Sequence, residues 1–158
     1  MEQRDIIVVA RGGREGFQDS VIYRLENQLG HNVTVTTNYP DTLDCLQETP
    51  ADFVIAEELV DRKGIPREHL DHCRTRDGMV YSDIALCHAL ESQGYSPPFF
   101  LLVSNRHLFN NPRRLPDDYR IMQEFLQGEK REYFEMPITP TDLVTGLERT
   151  LGYELYER

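Results

Sequence analysis

Pro50-Ala51-Asp52-Phe53-Val54-Ile55-Ala56-Glu57-Glu58 is the stretch on which the reading of this 158-residue chain turns. From residue 53 to residue 56 it is apolar without alternation. That is the pattern of a strand covered on both faces, and such strands belong to parallel sheets flanked by helices. The run stops on a carboxylate, Glu57. A second run of the same character, Ile6-Ile7-Val8-Val9-Ala10-Arg11, stops on an alanine and an arginine. Two buried strands of this kind predict an α/β architecture with strand ends gathered along one edge of a sheet.

Outward from these runs, strand-like and helix-like patterns alternate to the end of the chain. The first strand is predicted over 5–10. A helix follows over 16–29, where Phe17, Val21, Ile22, Leu25 and Leu29 recur at helical spacing before Gly30 stops it. A β-branched second strand covers 32–37, and a short helix begins at Pro40 with Asp41 or Thr42 as its cap and Leu43 and Leu46 inside. The third strand is 52–56. A helix over 82–92 carries Ile84, Leu86, Ala89 and Leu90, and the fourth strand, 99–103, is entered through Pro97-Pro98. A helix over 117–126, a strand over 132–135 and a last helix over 140–151 complete five βα units. In the last helix Leu143, Val144, Leu147 and Leu151 face inward.

No repeat or linker divides residues 1–158, so a single domain is expected. Two connections, 58–78 and 104–116, are long for this class. Both leave strands at their carboxyl ends, the edge where open α/β sheets bind ligands, so both are expected to rise over one crevice.

Composition removes several function classes. The formal charge of −10 argues against a direct nucleic-acid partner, and the local Arg113-Arg114 pair does not reverse it. No apolar run is long enough to cross a bilayer. The polar start, Met1-Glu2-Gln3-Arg4-Asp5, runs straight into a strand and leaves no room for a secretory signal, so a cytoplasmic location is expected. Cys45, Cys73 and Cys87 are odd in number with no close-spaced pair, as reduced thiols are.

Taken with the matching segments, these residues resemble the receiver domain of bacterial response regulators, the CheY-like family. The resemblance rests on 6–11 for the first strand, 51–57 for the third, Asp77-Gly78 entering the third helix, and 98–104 for the fourth. Tyr133-Phe134-Glu135-Met136-Pro137-Ile138 matches the family's aromatic-x-x-Lys-Pro-Phe element. It implies a flavodoxin-like (βα)5 three-layer sandwich with five parallel strands. It also implies a pocket in which an aspartate after the third strand takes a phosphoryl group beside Mg²⁺ held by two acids.

At those positions this chain departs from the family. Glu57 stands at the phosphorylated aspartate, Ala10 and Arg11 replace the acidic pair, and Met136 replaces the lysine. Val103 stands at the hydroxyl position, with Ser104 one place later as a substitute. Tyr133 keeps the aromatic switch position. Without the acids and the lysine, the cations that neutralise a transferring phosphoryl group are missing. We expect Arg11 to pair with Glu57 or Glu58 across adjacent strand ends; the alternative is that both groups are solvated.

Other signals compete. Arg11-Gly12-Gly13-Arg14-Glu15-Gly16 could cradle a small anion on backbone amides, with Gly12, Gly13 and Gly16 as the candidates, although a plain tight turn is the preferred explanation. His69, His72 and Cys73 would share a helix face at zinc-ligand spacing, with Cys87-His88 as an addition. No second close pair completes such a site, so solvated histidines and a half-buried thiol are expected.

The expectation is a pseudo-receiver: a signalling domain working by protein–protein contact without aspartyl phosphorylation. No catalytic residue, metal or cofactor is assigned to it. In the family the fourth helix, fifth strand and fifth helix form the docking face, so Tyr133 is the partner-facing candidate and a homodimer through that face is one form the contact could take. Leu143 and Leu147 are expected in the core. Two rivals stand beside it. One is an anion- or nucleotide-binding flavodoxin-like domain, and the other is an unconventional receiver phosphorylated on Glu57, Glu58 or Asp61.

Overall fold

The computed structural model describes residues 2–16, 19–104 and 116–156. Five parallel strands form one sheet in the order β2-β1-β3-β4-β5. The three most apolar runs, β1 (Asp5–Val9), β3 (Phe53–Glu57) and β4 (Phe99–Val103), take the centre, where both faces are covered. The more polar β2 (Asn32–Thr36) and β5 (Arg131–Glu135) take the edges.

Side chains alternate across the central strands, and that period of two divides the interior into two layers. Ile7, Val9, Val54, Ala56, Phe99, Leu101 and Val103 face one layer, built by α3 (Tyr39–Glu48), α5 (Ser82–Ser92) and α6 (Pro116–Leu126). Ile6, Val8, Ala10, Phe53, Ile55, Phe100 and Leu102 face the other. That layer is built by α2 (Asp19–Tyr23), its continuation Arg24–Gln28 and α7 (Pro140–Leu151). Leu143 and Leu147 are buried there. A short α1 (Gly13–Gly16) precedes α2.

The first helical region differs from its expected form. Helical geometry begins at Gly13, and the turn Arg24–Gln28 is π-helical, with Leu29 N–H donating to the Arg24 carbonyl at 2.9 Å. Phe17 lies outside the described residues. Gly30, at φ +75°, ends the segment as the sequence implied.

The cap of α3 is also a correction. Asn38 caps it, accepting from the Asp41 N–H at 2.9 Å, and Pro40 sits inside the first turn. Thr42, fully buried, instead donates its hydroxyl to the Asn38 carbonyl. At α7 the start falls at Pro140 as expected, with Thr139 accepting from the Asp142 N–H, and Gly152 closes the end.

The connection after β3 is not bare loop. It contains a helix, α4 (Arg67–His72), introduced by Pro66. Val60, Ile65 and Cys73 are buried against α3, α5 and α6, and the Ser82 hydroxyl donates to the Val60 carbonyl at 2.6 Å. His72 Nε2 lies 2.6 Å from Glu124 Oε2 on α6, and its ring meets His88 of α5 edge-on. The insertion is therefore held against the helical layer, where the sequence suggested it would rise over the strand ends. Residues 105–115 of the second insertion lie outside the described residues.

At the opposite edge, buried His31 joins the two ends of the described chain. Its Nδ1 accepts from the Arg4 N–H at 3.0 Å, so Nε2 carries the proton and donates to the Leu155 carbonyl at 2.7 Å.

Candidate functional site

Parallel pairing brings the carboxyl ends of β1, β3 and β4 side by side. Val9 pairs with Ala56, and Glu57 with Leu102. The residue after each strand is therefore delivered to a common edge, which is where open α/β sheets place their chemistry.

Arg11 and Glu57 meet there, with Arg11 Nε donating to Glu57 Oε1 at 2.9 Å. The guanidinium is more than half exposed at 56%, while the carboxylate side chain is only 16% exposed. Ala10 is fully buried in the apolar layer of Ile6 and Val8, so its position presents a methyl group to the core and no ligand atom to the edge.

Glu58 is engaged from the other side. Its Oε2 accepts both the Ser104 N–H at 3.1 Å and the Ser104 hydroxyl at 2.6 Å. Val103 is buried in the opposite layer from Ala10, so the hydroxyl available at this edge is that of Ser104, and it serves Glu58 and not Glu57. Met136 packs its thioether against the α7 layer while its N–H donates to the Val103 carbonyl at 2.8 Å. The Met136–Pro137 peptide is cis. Tyr133 is half-buried on edge strand β5 and rests against the α5–α6 layer.

The glycine-rich turn lies next to this edge. Gly13 has φ +68° and donates its N–H to the Ala10 carbonyl at 3.2 Å, a tight turn that requires glycine there. Gly12 is exposed, and Gly16 closes α1. The two arginines of this turn are committed to carboxylates, Arg11 to Glu57 and Arg14 to both oxygens of Glu26 at 2.5 and 3.0 Å. The Arg14 hydrogen bonds outweigh burial and hold the Glu26 carboxyl below the usual range.

The candidate zinc ligands do share α4 or its end, yet they separate. His69 approaches Glu68, His72 binds Glu124, and Cys73 is buried in the core, where desolvation and then the Asp83 carboxylate push its thiol up to about 12. Burial likewise pushes the His88 ring down. Among the described residues no three such side chains are grouped as a metal would require, and no helix is long and apolar enough to cross a membrane.

Two features at this end of the molecule escape sequence reasoning. The Glu58–Ser104 pair depends on strand register. A cleft of about 250 Å³ between the 75–77 turn and the start of α6 is lined by Thr75, Arg76, Asp77, Pro116, Asp117 and Asp118. Beside it the buried Tyr81 hydroxyl donates to the buried Asp118 carboxylate, whose carboxyl is pushed up by desolvation. Residues 77 and 118 are 41 positions apart, so no local pattern announces the cleft.

No protein-family model and no curated protein matches the chain. Solved structures do. NtrX from Brucella abortus aligns with a TM-score of 0.60 at 14% identity, over 96% of this chain and 27% of that one, so the present chain spans about a quarter of NtrX. The receiver domain of sensor histidine kinase PA1611 from Pseudomonas aeruginosa PAO1, solved with a magnesium ion coordinated in its active-site cleft, aligns at 0.57 with 16% identity. That alignment covers 96% of this chain and 99% of that one. A response regulator receiver protein from Burkholderia phymatum aligns at 0.55 with 20% identity, covering 96% and 97%. The chain has the flavodoxin-like α/β fold of response regulator receiver domains.

Proposed function

We propose that this chain is a receiver-like signalling module that works in the cytoplasm by protein–protein contact, without accepting a phosphoryl group and without catalysis of its own. The observation that carries the reading is the Arg11–Glu57 ion pair at the strand edge. In this reading a cation and its counter-charge stand in for the metal ion and the phosphoryl acceptor of a receiver.

The fold implies Mg²⁺, and the residues present do not fit it. A hard cation of this size wants several oxygen ligands in near-octahedral array. Ala10 offers none, Arg11 brings a positive charge, and the Glu58 carboxylate already accepts two hydrogen bonds from Ser104. Met136 contributes no charge to the neutralisation that phosphoryl transfer depends on. The ion pair is half-exposed, so its stabilising effect is small, about 0.2–1 kcal/mol. Its importance lies in occupying the edge.

What remains for function is surface, and Tyr133 on the edge strand is the residue we assign to a partner contact. The test is an amide NMR titration of the full chain, first with Mg²⁺ and then with beryllofluoride, a phosphoryl mimic, following Ala10, Glu57, Ser104 and Tyr133. The spectra are expected to stay unchanged. Saturable shifts at those four amides would sink the phosphorylation-independent reading in favour of an unconventional phosphorylated receiver.

A further inference from the structure

The charge of −10 is not spread evenly. Residues 62–76 carry Arg62, Lys63, Arg67, Arg74 and Arg76 against Glu68 and Asp71, with the exposed Asp61 and Asp77 at the two borders, and all five cations are exposed. Arg67 and Arg74 share Asp71 at 3.7 and 3.4 Å, and Arg76 reaches Asp117 at 3.5 Å. Lys63 donates its backbone N–H to the Asp61 carboxylate at 2.8 Å, while its ammonium and the Arg62 guanidinium form no ion pair among the described residues. Leu59, at the start of the same insertion, and Met79, just past its end, are each 38% accessible.

Immediately beside this basic turn is its electrostatic complement. Asp41, Asp44 and Glu48 are exposed along one side of α3 at helical spacing, and none pairs with a cation among the described residues. Their field reaches the half-buried Cys45 thiol between them, which they push up after burial has done so. The two patches adjoin, because a Cβ on Gly64 would lie 2.4 Å from the Pro40 ring that opens α3.

A basic and an acidic patch side by side on one face are self-complementary. A two-fold axis between them lays the basic turn of each molecule on α3 of the other, satisfies both sets of charges twice and closes the assembly. Nucleic acid fits poorly, since the acidic stripe borders the cations and repels a polyanion.

We propose that a second copy of this chain docks on this face. Arg62, Lys63 and Arg67 of one molecule then oppose Asp44, Glu48 and Asp41 of the other. The proposal goes beyond the signalling reading and stands apart from it, because it concerns neither the strand-end pocket nor the face around Tyr133.

Sedimentation equilibrium of the full chain tests it. Raising salt from about 50 mM to about 500 mM shortens the screening length from about 14 Å to about 4 Å, so the dimer dissociation constant is expected to rise about tenfold or more. Two charge-reversed variants, Arg62→Glu with Lys63→Glu, and Asp44→Lys with Glu48→Lys, are each expected to be monomeric. Mixed in equal amounts they are expected to form a dimer, because each then supplies the charge the other lost. A wild-type chain still monomeric at about 100 μM in low salt overturns the proposal. So does a dimer indifferent to salt and to both reversals, or a mixture that stays monomeric.

Discussion

Replacing Arg11 by Asp removes a guanidinium from the sheet edge and sets a new carboxylate beside Glu57. Two acids at adjacent strand ends are the start of a divalent-cation site. The Arg11→Asp protein is therefore expected to show Mg²⁺ binding by calorimetry where the parent shows none. The Arg11–Glu57 pair was legible in the sequence because two buried runs end on those residues, and parallel neighbours deliver their ends together. Glu58–Ser104 was not, since Ser104 is brought to Glu58 only by the register that pairs Glu57 with Leu102. A second substitution sets two effects against each other at Gly146 of α7. Alanine gains about 1 kcal/mol in helix propensity. Its Cβ, however, would lie 2.5 Å from the Phe134 ring, and overpacking of that kind costs about 1–3 kcal/mol. Gly146→Ala is expected to lower the urea midpoint.

At the scale of elements, helices and strands with long apolar patterns were readable to within a few residues. The sequence failed where one short element leans on another. Helix α4 has no fully buried residue of its own, and it is held by Leu70 packing on the core, by buried Ile65 and Cys73 on either side, by His72 reaching Glu124 and by the ring contact with His88. The clues were the His69, His72 and Cys73 spacing and Pro66 ahead of it. Its docking has a pH dependence of definite sign. Burial chiefly, and then His72 and His69, hold His88 below its ordinary value of 6.5, against the opposing pull of Glu91 and Glu124. The unfolded chain thus takes up the proton more readily than the folded one. The full stability is present above pH 6.5 and is lost as pH falls below it. Urea denaturation of His88→Gln between about pH 5 and 7.5 is expected to show a flatter acid limb than the parent, which carries the titrating ring.

For the whole molecule, two apolar layers share the same three central strands, so neither can melt while the other persists. Leu90 of α5 and Leu147 of α7 are both fully buried on opposite faces of the sheet. Leu90→Ala and Leu147→Ala are each expected to cost about 2–5 kcal/mol and to shift one common transition. With eight tyrosines and no tryptophan, tyrosine fluorescence and far-UV circular dichroism should trace that transition with coincident midpoints. Alternation of strand and helix made this architecture legible from the sequence alone. The separation of charge between the insertion and α3 was not, because only the fold sets Gly64 against Pro40. The bond that His31 makes in two directions has a topological meaning. By holding Arg4 and Leu155 through one imidazole ring, it leaves the two ends of the described chain as neighbours. A short peptide could bridge them, and the polypeptide could then be opened anew at the exposed Lys63–Gly64 turn, giving a circularly permuted chain that threads the same sheet from a different starting point.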